Sequence, residues 1–567
     1  MLSSVGRQHF YLFFKKERQK KGRNTPMKKR TQKIVALVLA VLMLAALAAC
    51  GAKNETGKTG GSGSAGTSAT SGTGKSGEKV LTFGCQMYSD GLINPASQIN
   101  CAWNCMRFGV GEALFKFDDS MNIQPWLAES YTTDDLITWV IKLRDGIMFS
   151  NGTEMTATKV KESLDWVRDE GPNGSSKPGK YLSYDATITA DDAANTITIV
   201  LPAADINLPG NLAYPVMEII DVAGTSDFDA GVVGTGPYMV STHTDLVGYE
   251  MVKNPYYRET VPYDKVIITF MGDASAKASA LQAGQVDLVE NITNVADLKK
   301  LQDDANYTVD IASGVRCGFS WMNFKGVLGN ETLRKAILMG IDYKTICASN
   351  TIGGLYTPGF SVLPSTLAYG YDNLNNPYEY DIDAAKKLLD DAGIKDTNNN
   401  GIRELNGEDI YLRYSSYENR LLNDFSDAHT LYLTELGIGV KSQYGSSDDC
   451  WNDLISFNYD LDNNNWTTVG TGDPTEYLYN WYGPSESNFC GYQNDEYDKL
   501  FEEYLASSDT ARRTEIVERL QQILIDDAAV LVDGYYNSSM AYSKNVGYAH
   551  IHTADYYWIT TEIVPAA

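Results

Sequence analysis

The chain has 567 residues and carries 72 acidic against 47 basic side chains, a formal net charge of −25. Residues 1–49 hold eleven Lys/Arg and one Glu, so the remainder is more acidic still, near −35. That balance argues against nucleic acid or anionic lipid as a ligand of the body, and the length exceeds what one core usually supports, so two or more lobes are expected.

Met27 opens a basic stretch, Lys28, Lys29, Arg30 and Lys33, followed by an apolar run from Ile34 to Leu47 and then Leu47-Ala48-Ala49-Cys50. Basic, apolar and small-residue zones in that order describe a secretory signal. The apolar run, roughly 21 Å as a helix, is short against the ~30 Å hydrocarbon core of a bilayer. Leu-Ala-Ala-Cys resembles the lipobox of bacterial lipoproteins, which implies that Cys50 is acylated and anchors the chain to the lipid bilayer. Residues 1–49 are therefore read as a signal region, with Met27 as the initiator. From Gly51 to about Lys79 the chain is nearly all Gly, Ser, Thr, Ala and Lys, too poor in apolar side chains to offset its ordering entropy. Residues 50–79 read as a lipidated Cys and a tether with a reach of roughly 30 Å.

Strand and helix periods then alternate. Ile137, Trp139, Ile141 and Leu143 share one face of a strand, and Thr196–Leu201 and Lys265–Phe270 are two more. Thr156 is an N-cap before Val160, Leu164 and Val167 at helical spacing. Asn330 caps a helix bearing Leu333, Ala336 and Ile337, and Asp383 is the expected cap of another that ends before Gly393. Helices over Asp424–Leu436 and Thr510–Asp527 complete an α/β pattern. Seven Cys follow Cys50 at scattered spacing, which gives no disulfide framework. Cys101 and Cys105, with Cys85 nearby, admit one bridge or a zinc ion, but buried thiols are the simpler reading.

Several segments, taken together, resemble the large solute-binding proteins of the oligopeptide, dipeptide and nickel ABC importers (family 5). They are Pro125-Trp126-Leu127-Ala128-Glu129-Ser130-Tyr131, Leu143-Arg144-Asp145-Gly146-Ile147-Met148-Phe149, Gly234-Thr235-Gly236-Pro237-Tyr238 and Asn254-Pro255-Tyr256. Further on come Ala280-Leu281-Gln282-Ala283-Gly284, Leu333-Arg334-Lys335-Ala336 with Ile341-Asp342, Asp383-Ala384-Ala385-Lys386-Lys387-Leu388-Leu389, and Gly472-Asp473-Pro474. The resemblance runs in order from residue 80 to the C-terminus. It implies a two-lobed periplasmic-binding-protein-like α/β fold of the large, three-subdomain type, with a ligand cleft between the lobes. The first lobe would comprise 80–313, with an extra subdomain near 113–230, the second 314–526, and 527–567 would return to the first. Hinges are expected near Ser313-Gly314 and Asp526-Asp527.

The function implied is capture of peptides or a related small solute for a membrane permease and its ATPase, at the outer face of the cell membrane or in the periplasm. Trp466 is the aromatic expected on the cleft wall, and Trp321 and Tyr414 are further candidates. In peptide receptors of this family an Asp soon after that Trp pairs with the ligand ammonium. Here that place is held by Val469 or Gly470, and Asp473 belongs to the following turn, so a free peptide N-terminus loses its expected partner. Arg420 resembles an Arg that relatives direct at a ligand carboxylate, and it suits a nickel or other metal chelate equally. Oligosaccharides and signalling peptides remain as other solutes for the same fold. Asp396, Asn398, Asn400 and Glu404 have the spacing of a calcium loop, with Gly401 at its sixth position. The twelfth position is Gly407, and Asx-turn chemistry explains the same pattern without a cofactor. His550-x-His552 reads as surface residues. No Gly-x-Ser-x-Gly elbow, His-Glu-x-x-His or phosphate loop is present, and a hydrolase would have to rely on carboxylates without a motif.

Overall fold

The computed structural model describes residues 77–88, 91–171 and 176–567; Cys50 and the tether lie outside them. Its spine is one sheet. Across it run Gly439–Gly445, Tyr411–Tyr417, Leu461–Thr467, Tyr307–Met322, Val530–Ser543, Leu288–Glu290, Val80–Cys85, Lys265–Phe270, Gly248–Lys253 and Tyr238–Thr244. Two long antiparallel strands, Tyr307–Met322 and Val530–Ser543, occupy its middle. At one end they are flanked by Leu288–Glu290, which pairs Leu288 with Tyr542 and Glu290 with Met540. At the other end the flanking strand is Leu461–Thr467, which pairs Arg316 with Thr467 and Met322 with Leu461. The register shifts between Ser313 and Arg316 and again between Gly318 and Phe319. The long pair thus changes neighbours where its ladder is broken, and a bulge of that kind bends a strand and increases its twist.

A second, four-stranded antiparallel sheet joins Ala128–Thr132, Thr138–Leu143, Thr196–Val200 and Thr187–Asp191. Trp139, Ile141, Ile197 and Ile199 alternate onto its covered face, against Val160, Leu164 and Val167 of the helix Ala157–Glu170. Val140 and Val200 point outward and are exposed, the alternation that a half-buried strand requires. Expected caps hold at Thr156, which accepts from Lys159 N, and at Asn330, which accepts from Leu333 N. The cap expected at Asp383 is instead Asp381, whose extended backbone lets Oδ1 accept from Ala384 N at 2.8 Å. Asp383 sits inside the first turn of that helix, where its charge meets the positive end of the dipole. The helix expected from Asp424 begins at Leu422, because Leu421 already turns the chain at φ 60°. All seven cysteines of the described residues are buried, and no disulfide joins any two of them. No helix among the described residues is long and apolar enough to cross a membrane.

Two ionic contacts make testable contributions to stability. Lys277 donates to Glu290 Oε1 at 2.7 Å and to the Asn291 carbonyl at 2.9 Å, and both charged side chains are buried. Replacing Lys277 by Met leaves the Glu290 carboxylate enclosed without its counter-ion, a loss of about 3–5 kcal/mol. The expected result is a clear fall in melting temperature that Lys277→Arg largely avoids.

His550 is half-buried between two carboxylates, with Nδ1 2.8 Å from Asp310 and Nε2 3.1 Å from Asp119. Burial opposes its protonation, but the bonds and charges of Asp119 and Asp310 prevail and raise its pKa above 6.5. A raised folded-state pKa stabilises below the unfolded value and is lost as pH rises through the folded one. The difference in melting temperature between the wild type and His550→Gln should therefore be largest below about pH 6.5 and shrink in alkaline buffer.

Candidate functional site

A cavity of about 450 Å³ opens where the long strands change neighbours. It draws residues from five stretches of chain, Gln86 to Arg107, Asn291 and Thr293, Arg316, Asn419 and Arg420, and Asn465 to Thr467, together with Glu476 and Tyr536. Two of the sequence candidates, Trp466 and Arg420, meet here. Three arginines line the space, and the family resemblance in the sequence singles out only Arg420.

Arg107 forms the floor and is 1% exposed. It ends the helix Ile99–Arg107 and binds Asp555, with Nε on the carbonyl at 2.7 Å and Nη2 on Oδ2 at 2.9 Å. Its guanidinium lies 4.3 Å from the ring centre of Trp558, 4.8 Å from Trp103 and 4.9 Å from Tyr88. That aromatic cage lowers the cost of enclosing the cation. Nη1 is buried and has no protein hydrogen-bond partner.

Arg316 stands just after the break in the long strand and donates to Asn465 O at 3.2 Å and to Asn465 Oδ1 at 3.4 Å. Burial, with Arg420 and Arg107 close by, pushes its pKa down to about 10, so it stays charged at neutral pH. Arg420 donates to Asn419 Oδ1 at 3.3 Å and lies 5.7 Å from the Tyr536 ring centre. Among the described residues neither Arg316 nor Arg420 forms an ion pair. The backbone at Arg420 and Leu421 is left-handed, with φ 42° and 60°. Each such residue costs of order 1–3 kcal/mol and persists only where its surroundings hold it. Here Tyr356 OH donates to the Arg420 carbonyl at 2.7 Å, and Leu422 N donates to Asn419 O at 3.0 Å.

Trp466 is half-buried and gives the wall its apolar face. Its indole N–H donates to Asn464 Oδ1 at 3.2 Å, and its ring packs edge-on to Trp321 at 5.4 Å. Trp321 lies behind it in the core, against Phe319 and Trp481. Tyr414 is fully buried and bonds Ser320 and His429 Nδ1, both at 2.7 Å. Neither Trp321 nor Tyr414 lines the cavity.

The loop after Trp466 turns away from it. Val469 is buried with the core of the 113–219 segment, and the Gly470 carbonyl accepts from Tyr556 OH at 2.7 Å. Gly472 has φ 78° and its Cα faces the Phe117 ring so closely that a Cβ would stand 2.9 Å from it. Asp473 caps Thr475 N at 2.8 Å and binds Arg513 Nη2 and Tyr504 OH, each at 2.6 Å. Asp396, Asn398 and Asn400 spend side-chain oxygens on the amides of Asn400, Gly401 and Ile402, and Glu404 accepts from Thr397 N and Asn398 N. This is the hydrogen-bonding of an Asx-rich turn. Among the described residues no group of three or more His, Cys, Asp or Glu is arranged to hold a metal ion.

The signal that could have found Arg107 and Arg316 is weak, since Arg107 ends an ordinary amphipathic helix and Arg316 sits inside a strand. Trp466→Ala should weaken solute binding at least tenfold while shifting the melting temperature little. Tyr414→Phe should do the reverse, losing about 1–3 kcal/mol by leaving buried partners unpaired; calorimetry and thermal melts on the two variants distinguish wall from core.

The family model of bacterial extracellular solute-binding proteins, family 5, middle region, matches residues 122–489. A probable D,D-dipeptide-binding periplasmic protein of Escherichia coli is 25% identical over 446 residues, covering 75% of this chain and 82% of its own. Heme-binding protein A of Haemophilus influenzae is 26% identical over 449 residues, covering 72% and 78%. Among solved structures, the NikA protein of Brucella suis in complex with Fe(III)-EDTA superposes with a TM-score of 0.76 at 20% identity, covering 86% of this chain and all of that one. With the family region spanning well over half of the chain and the fold matching throughout the body, the chain belongs to the family 5 extracellular solute-binding proteins, the substrate receptors of ABC importers.

Proposed function

We propose that this receptor captures a small carboxylate-bearing solute, a short peptide in the first instance, in the cavity floored by Arg107, Arg316 and Arg420. The observation that carries the reading is the set of unspent cationic donors: Arg107 Nη1 is buried without a partner, and Arg316 and Arg420 have no counter-ion among the described residues. A bidentate carboxylate would satisfy them with charge-assisted bonds, and the aromatic faces of Trp103, Trp466 and Tyr536 would cover its apolar part. The relatives are named for a D,D-dipeptide and for heme, and the solved neighbour holds Fe(III)-EDTA. The family therefore spans very different solutes, and the charge of this chain's own cavity is the better guide. A carboxylate chelate of nickel or iron is the second reading, favoured by Val469 and Gly470 standing where an ammonium-pairing Asp would be.

The receptor acts by binding and release and carries out no chemistry on its solute. Acylated Cys50 would hold it at the outer face of the membrane, and the Gly/Ser tether would let the body reach the permease. The test is calorimetry with trialanine, citrate and nickel citrate. Arg316→Met and Arg420→Met should each weaken the bound solute at least tenfold, and raising sodium chloride from 0.05 to 0.5 M should weaken it further. Tight binding of a neutral oligosaccharide that is indifferent to both substitutions would sink the proposal.

A further inference from the structure

Beside the arginine cavity lies a second one of about 430 Å³, between the 180–211 segment and the 471–513 segment. The two share one residue, Glu476, on the short helix Thr475–Leu478. Their charge is opposite. The first is lined by Arg107, Arg316 and Arg420, with Glu476 as its single acidic residue among the described ones. The second holds Asp205, Asp473 and Glu476 against Lys180 and Arg513. Asp473 is neutralised by Arg513 at 2.6 Å. Asp205 accepts only from Asn207 N at 2.8 Å and Asn211 Nδ2 at 3.2 Å, and forms no ion pair among the described residues. Glu476 pairs with Lys180, whose ammonium reaches it from a segment almost 300 residues earlier in the chain.

We propose that the two cavities are the halves of one dipolar cleft, that its solute is a zwitterion, and that Glu476 receives the solute's ammonium in place of Lys180. This rests on the arginine cavity being the carboxylate site. A carboxylate on the arginines leaves the other end of a short peptide directed at Glu476, the shared wall, with Asp205 beyond it. An ammonium leaving water needs such a partner, and the one now present is the half-exposed Lys180 ammonium, which the solute can displace. Lys180 thus stands in for the solute when the cleft is empty, and its release on binding frees the 180 segment from the 476 segment.

The experiment is calorimetric titration of the purified protein and its Glu476→Gln and Lys180→Met variants with trialanine, N-acetyl-trialanine and citrate. Wild type should bind trialanine at least tenfold tighter than its N-acetyl form. Glu476→Gln should reduce that ratio to about twofold while citrate, which carries no ammonium, loses no affinity, and Lys180→Met should tighten trialanine by removing the competing ammonium. The Lys180 and Glu476 side chains are 44% and 64% exposed, so neither variant opens the core. Equal affinity for free and acetylated peptide, or a ratio that survives Glu476→Gln, overturns the dipolar cleft. Citrate binding without trialanine binding overturns it too and leaves the carboxylate receptor standing, whereas silence with both ligands removes both readings.

Discussion

Positive charge held in a half-enclosed space without its counter-ion is the constraint on which this molecule turns. A guanidinium moved from water needs compensation, and Arg107 has a great deal of it: a carboxylate, a carbonyl and three aromatic rings. Arg316 and Arg420 have little beyond two asparagines. Burial first, and then the nearby Arg420 and Arg107, disfavour the charge on Arg316 and lower its pKa. The fold tolerates this because backbone, rather than side-chain attraction, sets the positions. Arg316 follows a break in a strand locked on both edges, and Arg420 rides on a left-handed turn pinned by Tyr356. The frame supplies what the charges oppose.

The same frame explains why the cavity lies where it does. Two strands run through both halves of the sheet, and the flanking strand changes identity beside their register shift. Any relative rotation of the halves concentrates there, since a bulge has fewer ladder bonds to break than continuous sheet. Docked against this region is the loop after Trp466, whose Val469 and Gly472 lie on the 113–219 segment. One loop therefore carries an aromatic wall at its start, an interlocking contact in its middle and Glu476 at its end.

Much of this was legible in the sequence, for reasons that can be named. Strand alternation at Ile137–Leu143 and the caps at Thr156 and Asn330 are local, and local physics reproduces them. The cap at Asp381 was missed because Asp381 and Asp383 are both near the helix start, and only backbone geometry says which oxygen reaches the amide. Trp466 and Arg420 could be singled out because ordered motifs mark their neighbourhoods. Arg107 and Arg316 could not, since their positions depend on partners far along the chain, Asp555 for Arg107 and the paired Tyr536 for Arg316. Trp321 and Tyr414 illustrate the converse: large, amphipathic side chains near the right motif, but on the inward phase of their strands.

The left-handed pair at Arg420 and Leu421 has an evolutionary consequence. A backbone at φ 42° admits few side chains without further strain, chiefly Gly, Asn and Asp. Arginine there runs against the conformational bias of its own position. Drift at residue 420 will run toward residues that erase or reverse its charge while easing the turn. Descendants of this receptor could change the sign of the solute they favour and gain stability in the same substitution.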